Sequence, residues 1–261
     1  MWCRVIHSPH SFDSCFEVFL ADTPEAKDIH YRIRYRVYCD ERGFEDKLLY
    51  PDGLESDEWD SRAVHFLVRH KFSGEWLGAL RLVRPDKQCF PFEEHCTPYR
   101  SLPKACYGRA VEISRLCVVK EARRFALRKS NVHLDARSAN ISFLHDYRNL
   151  NRSIMWGLYR AATVYSARSG IDDWFILVTP ALAYFVSKEG FSMRQIGDAC
   201  DHRGQRTPYR LNVKHILQNP LWLQDYRQDY RLYSELAETH AVSYGGRDLR
   251  QIGVVSYVNR A

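Results

Sequence analysis

The chain lacks any apolar run approaching the roughly 18–20 residues that a membrane-spanning helix needs. Its first ten residues, M-W-C-R-V-I-H-S-P-H, contain no apolar core of the kind a secretory signal carries, so the expected location is the cytoplasm. There is no internal repeat and no low-complexity stretch. Cysteine is not scarce, but its useful spacings are absent: Cys3, Cys15, Cys39, Cys89, Cys96, Cys106, Cys117 and Cys200 include no C-x2-C pair. That argues against both a disulfide framework and a zinc knuckle. Cys39 and Cys117 sit in apolar-periodic segments and read as packed thiols. Two pairs, His95-Cys96 and Cys200-Asp-His202, have ligating side chains, but each alone falls short of a ligand set, so they are read as incidental and no metal is expected. Glycine is missing between Gly108 and Gly157. A tight backbone cradle for phosphate at a helix start needs glycine, so none is expected in that interval.

What is present is ordinary in bulk. A chain of 261 residues with 45% hydrophobic and 27% charged residues can bury a full core. The net charge is +6, yet basic and acidic residues are interleaved over most of the length. The densest basic group is Arg123, Arg124, Arg128 and Lys129. It suits an acidic protein partner as well as a phosphate backbone. No recognition-helix motif accompanies it, so nucleic acid is not expected as a partner.

Residues 16–21 read as a strand. Thr23-Pro24 is a helix start, with Ala26, Ile29, Ile33 and Val37 as the buried stripe of a helix ending near Gly43. Residues 62–70 and 76–84 read as a hairpin around Ser73-Gly74. The interval 85–109 holds four prolines and is too long for a simple connection. A strong strand pattern returns at 110–119. A helix is expected over 149–169, a strand covered on both faces at 174–180, a helix at 181–188, and a last hairpin from 191–197 and 207–213. Leu223, Tyr226, Tyr230, Tyr233 and Ala237 recur at helical spacing, which predicts an amphipathic helix packed on the core. The chain is read as two units: a main domain over 1–213 and a helical extension over 214–261, packed on the core.

The informative residues are charges in apolar surroundings. Arg34 is followed by Tyr38 and Phe44; Glu55, Asp57 and Asp60 form E-x-D-x2-D. Arg81 interrupts W-L-G-A-L-R-L-V, and Glu112 and Arg115 interrupt V-E-I-S-R-L-C-V-V. Charges inside strands are costly unless paired. Arg34 and Arg81 are therefore expected to meet the three acids and hold segment 44–61 over the sheet. That network could be structural, could bind a substrate, or both. Glu112 and Arg115 are three apart and on a regular strand would face opposite sides. A β-bulge would bring them together, and one is predicted there.

The element order resembles the GCN5-related N-acetyltransferase (GNAT) fold, an α+β arrangement with a mixed, mostly antiparallel sheet and helices on both faces. The charged constellation narrows this. Arg34-x3-Tyr38-x5-Phe44, Glu55-x-Asp57-x2-Asp60, Arg81 and Glu112-x2-Arg115 resemble the signature of acyl-homoserine-lactone autoinducer synthases, with Tyr38 and Phe44 in place of that family's usual Phe and Trp. The segment F-P-F-E-E-H-C at 90–96 and the long tail resemble more closely the N-acyl amino acid synthases, including the exosortase-associated acyltransferases. The resemblance covers roughly residues 16–213, beyond which an appended element follows.

The resemblance implies a bacterial enzyme moving a long fatty acyl group to the amine of an amino acid or similar acceptor. Lactone synthesis, and a catalytically silent acyl- or lipid-binding module, are the alternatives. The missing glycines favour a donor delivered as phosphopantetheine on acyl carrier protein over coenzyme A, with no bound cofactor. Arg123, Arg124, Arg128 and Lys129 then serve to dock the carrier, unless they are only a solvated face. A lipid product would allow peripheral association with a membrane. Glu112 is the candidate proton acceptor and strand N–H groups near Ser114 to Cys117 the candidate oxyanion donors. Arg34, Arg81 or Arg115 could hold the acceptor's carboxylate.

Overall fold

The computed structural model describes residues 12–86, 89–122 and 153–236. A helical turn, α1 (Phe12–Cys15), leads into β1 (Phe16–Leu20). Helix α2 (Pro24–Tyr35) starts as the sequence dictates: the Thr23 hydroxyl accepts from the Ala26 N–H at 3.2 Å and Pro24 fills the first turn. Arg36–Glu41 continues it as a π-helical turn. A short 3₁₀ turn, Glu58–Arg62, precedes the hairpin of β2 (Ala63–His70) and β3 (Trp76–Val83). The proline-rich interval folds into a 3₁₀ turn at Pro91–Glu94 and helix α3 (Lys104–Arg109). Then come β4 (Ala110–Val118), helix α4 (153–168 as described), β5 (Asp173–Val178) and α5 (Pro180–Lys188). The rest is β6 (Arg194–Gln195), β7 (Cys200–Asp201), β8 (Gln205–Asn212), α6 (Val213–Leu217), α7 (Leu221–Gln224) and β9 (Arg231–Leu232).

The strands form one sheet in the order β6-β8-β5-β4-β3-β2-β1-β9, with β7 alongside β8. Among the described strands only β4–β5 and β1–β9 run parallel. Phe66, Leu67 and Val68 are consecutive and all fully buried. Successive strand residues point to opposite faces, so both faces of the central strands are covered. This is the GNAT-like fold that the order of elements implied. Gly157 on α4 allows one close approach, since a Cβ there would lie 2.0 Å from the Phe12 ring. Among the described residues no helix is long and apolar enough to cross a membrane.

Two features of β4 shape the site. It pairs with β5 only over Ala110–Ile113, although it continues to Val118. Past Ile113 the flank of β4 that would bond to β5 makes no ladder pair with it. The second feature is a bulge. Ala79 pairs with Cys117 and Arg81 with Ser114, so Leu80 faces two residues, Arg115 and Leu116. Arg115 takes φ +52°, the left-handed region that side chains avoid. A bulge was expected between Glu112 and Arg115; the ladder is regular over Glu112–Ser114 and the bulge falls at Arg115 and Leu116 instead.

The tail corrects an expectation. The stretch expected as one amphipathic helix from Leu223 is not one: it is broken between 225 and 232, and helix resumes only at 233–236. After α7 the chain runs extended, with Tyr226 at φ +63°, and β9 pairs with β1. The reason lies in two carboxylates. Asp13 accepts the backbone N–H groups of Arg227 and Gln228 at 2.6 and 3.3 Å, and Asp225 accepts that of Phe12 at 2.5 Å. These bonds hold the backbone where a helix would have bonded to itself. The tyrosines still pack inward: Tyr230 against Phe66 and Tyr165, Tyr233 against Trp76. Through β9 the described part of the 214–261 extension packs on the main sheet. Ala237 lies outside the described residues.

Candidate active site

The buried charges converge. His65, Arg81 and Ser114 occupy one cross-strand row on β2, β3 and β4. Arg34 descends from α2, and the acids arrive on the segment before β2. Asp57 and Asp60 cap the 3₁₀ turn reciprocally: Asp57 Oδ1 accepts from Trp59 N at 3.1 Å, and Asp60 Oδ2 from Asp57 N at 2.8 Å. The same carboxylates take the arginines. Asp60 Oδ1 accepts from Arg34 Nη1 at 2.6 Å, Arg81 Nη1 at 2.8 Å and His65 Nε2 at 2.9 Å. Arg81 reaches both oxygens of Asp57, at 2.5 and 3.0 Å. Arg34 Nε donates to Glu55, a pair with neither side chain exposed.

Burial alone would raise the acids' pKa values, but the contacts win. His65 and the two arginines hold Asp60 far below the ordinary carboxylate range. Arg34 and Arg115 lower Glu55, and Arg81 with Arg115 lowers Asp57. Burial lowers the pKa of His65, so it enters the network as a neutral donor. His65 was not singled out from the sequence; its signal was a polar residue inside an otherwise apolar strand.

The bulge decides where Arg115 goes. Its guanidinium reaches Glu55 Oε1 at 3.1 Å, Asp57 Oδ2 at 3.0 Å and Glu45 Oε1 at 3.5 Å. It also lies 5.5 Å from the centroid of Tyr38. The expected meeting with Glu112 does not occur. Glu112 instead accepts the Phe92 N–H at 2.8 Å. The parity argument called for a bulge but missed its position and direction: the left-handed turn at Arg115 carries that side chain toward the 44–61 segment. Glu112 is left buried without a cationic contact, and burial raises its pKa to about 8 against the opposing pull of that N–H, Arg81 and Arg115.

Glu112, Arg115, Arg81, Asp57, Tyr38 and Phe44 all line one cavity of about 330 Å³. Segment 44–61 forms a wall, contributing Glu45, Tyr50, Glu58 and Trp59. The Tyr38 hydroxyl donates to Leu116 O at 3.1 Å, and its ring stacks on Phe44 at 6.5 Å. Tyr38 lies on the π-helical turn, a departure from regular helix that often marks functional sites. Arg34 and Glu55 are too deep to line the cavity and act through their neighbours. Arg123, Arg124, Arg128 and Lys129 lie outside the described residues.

The opposite wall comes from the β7–β8 hairpin, which the sequence reading passed over. Arg203, at φ +54°, forms an ion pair with Glu45. Arg206 donates from Nε to His202 O at 2.7 Å, and its Nη groups have no acidic partner among the described residues. A readable signal was the R-G-x-R spacing at a tight turn. The hairpin is tied to the 90–96 loop by a disulfide between Cys96 and Cys200. This corrects the expectation drawn from cysteine spacing. The two residues are 104 apart in sequence, and the fold, not local spacing, brings them together. Cys39 and Cys117 are buried free thiols.

Residues 33–131 match a family model described as an acetyltransferase (GNAT) domain. No curated protein matches the chain. Among solved structures, a coenzyme-A-dependent acyl-homoserine lactone synthase, BjaI, with SAM and isopentyl-CoA is similar at TM-score 0.56 and 17% identity, over 87% of this chain and 99% of that one. Another synthase so described, MesI, gives TM-score 0.52 and 18% identity over 83% and 99%. FeeM, an N-acyl amino acid synthase from uncultured soil microbes, gives TM-score 0.48 and 16% identity over 80% and 97%. Residues 33–131 thus carry the likeness to a GNAT acetyltransferase domain, and the chain as a whole shares the fold of the BjaI and MesI synthases.

Proposed function

We propose that the protein moves a long-chain fatty acyl group from the phosphopantetheine thioester of acyl carrier protein to the amine of an amino acid. The observation that carries the acceptor is Arg206. Arg34, Arg81 and Arg115 are already held by acids, so none of them is free to bind a substrate carboxylate. Arg206 lines the same cavity with its Nη groups open. A carboxylate held there would bring the adjacent amine into the cavity that Glu112 also lines. Glu112 as carboxylate takes a proton from the amine, directly or through water, as nitrogen attacks the thioester carbon. The C–S bond then breaks, and the sulfur leaves as the carrier's thiol once it takes up a proton. In this reading backbone N–H groups on the flank of β4 past Ile113, unpaired with β5, receive the oxyanion.

The donor reading rests on the absence of glycine between Gly108 and Gly157, with Arg123, Arg124, Arg128 and Lys129 docking the acidic carrier in the cytoplasm. BjaI and MesI are coenzyme-A-dependent lactone synthases, which makes that donor, and a lactone product, the specific rivals. The test is mass spectrometry of products formed from acyl carrier protein and coenzyme A thioesters of one acyl chain, offered amino acids and S-adenosylmethionine. The expected product is an N-acyl amino acid from the carrier. A homoserine lactone would establish the rival, and no product from any pair would overturn both.

A further inference from the structure

Acyl transfer leaves a second cluster unused at the rim of the cavity. His95 and Cys96 come from the loop after Phe90; Cys200 and His202 come from the β7–β8 hairpin. The Cα atoms of Cys96 and Cys200 are 5.8 Å apart and their sulfurs are bonded. The rings of His95 and His202 stack with centroids 3.8 Å apart. In this form the sulfurs are bonded to each other, and no group of three or more His, Cys, Asp or Glu among the described residues is set to hold a metal.

Reduction changes the donor set. A dithiol reductant supplies two electrons and two protons, is itself oxidised to a disulfide, and leaves Cys96 and Cys200 as thiols. Two sulfurs and two imidazoles then face one another from two segments. We propose that the reduced protein binds one zinc ion through His95, Cys96, Cys200 and His202. The two thiol protons pass to solvent as the metal binds. Two sulfurs with two nitrogens is a donor set that selects zinc over hard cations. In a tetrahedral site with Zn–S near 2.3 Å the sulfurs stand about 3.8 Å apart. That separation suits Cα atoms already 5.8 Å apart. The imidazoles must turn from stacked to edge-on, a rotamer change open to an exposed His95 and a half-buried His202.

The ion would replace the disulfide as the tie between two walls of the site. One wall carries Phe92, whose N–H holds Glu112; the other carries Arg203, which holds Glu45. The cavity would then keep its shape in a reducing compartment.

Cobalt(II) is the probe, added without oxygen to the full chain before and after reduction. One cobalt per reduced chain is expected, with the ligand-field bands of a tetrahedral ion and a thiolate charge-transfer band, both lost on adding zinc. Cys96→Ser and His202→Ala should each weaken zinc binding by more than the roughly 10–100-fold typical of outer-shell partners. Should either variant fail to fold, alkylation of the native chain decides. Zinc should protect Cys96 and Cys200 from iodoacetamide in peptide maps of the reduced protein. Absence of stoichiometric binding, equal binding before reduction, or labelling of both cysteines at the zinc-free rate would overturn the proposal.

Discussion

Replacing Glu112 by glutamine tests the centre of the chemistry. Glutamine keeps an oxygen to accept the Phe92 N–H, so the contact at 2.8 Å survives while the proton acceptor is lost. Arg115 does not depend on Glu112, because its partners are Glu45, Glu55 and Asp57. The variant should therefore fold and should lose rate by roughly 10²–10⁴ if Glu112 takes the proton. The native rate should rise with pH toward the Glu112 titration near 8. Stability supplies an independent reading. Between the ordinary value of 4.5 and about 8, the folded protein holds a proton on Glu112 that the unfolded chain has lost. Stability from this group is thus fully present below 4.5, falls by about 1.4 kcal/mol per pH unit through that window, and is gone above 8. Glutamine removes this slope. Urea denaturation of both proteins from pH 5 to 9 should give a stability difference that moves in the variant's favour as pH rises. A difference flat in pH, with an active variant, would refute both the buried proton and its use.

Arg206→Gln should raise the acceptor KM about 10- to 100-fold, the scale of a charge-assisted contact of ~1.5–3 kcal/mol, and leave the donor KM and the melting temperature in place. Asp57→Asn weakens the pairing to Arg81 and Arg115 and should raise the acceptor KM more than the donor KM, read from initial rates in both substrates. Arg34→Met takes one buried cation from Glu55 and Asp60, which keep Arg115 and Arg81, and should lower stability by about 3 kcal/mol in denaturant melts, the low end for breaking a buried pair. Charge reversal at Arg123, Arg124 and Arg128 should raise the KM for acyl carrier protein and flatten its salt dependence; an unchanged KM would reduce that cluster to a solvated face.

The fold was legible because its strands and helices carry strong local signals: Thr23-Pro24 at a helix start, an apolar run at 174–180, turns at Ser73-Gly74 and Gly190. The network was legible because Arg34 and Arg81 had to find acids, and E-x-D-x2-D supplied them. What the chain did not disclose depended on direction or on distance. Parity indicated an irregularity near Arg115, but only the φ of +52° sends that guanidinium to Glu55 and leaves Glu112 to Phe92. Cys96 and Cys200 meet through tertiary structure alone. In the tail, tyrosines three and four apart mimicked a helix, because aromatic rings docking from an extended chain can share that spacing while Asp13 claims the backbone.

The two-residue strand β9 has a consequence for how this protein stays dispersed. Without it, β1 would be the outermost strand, and its F-E-V-F-L sequence combines β-preferring residues with a single charge. Such an edge is a template for another chain. Pairing at Phe19 and Leu20 occupies it, and Arg231 adds a guard by reaching Glu17 at 3.3 Å and covering the Phe19 ring. Truncation after residue 213 would bare that edge, and the shortened chain is expected to self-associate in light scattering before it loses any residue of the cavity.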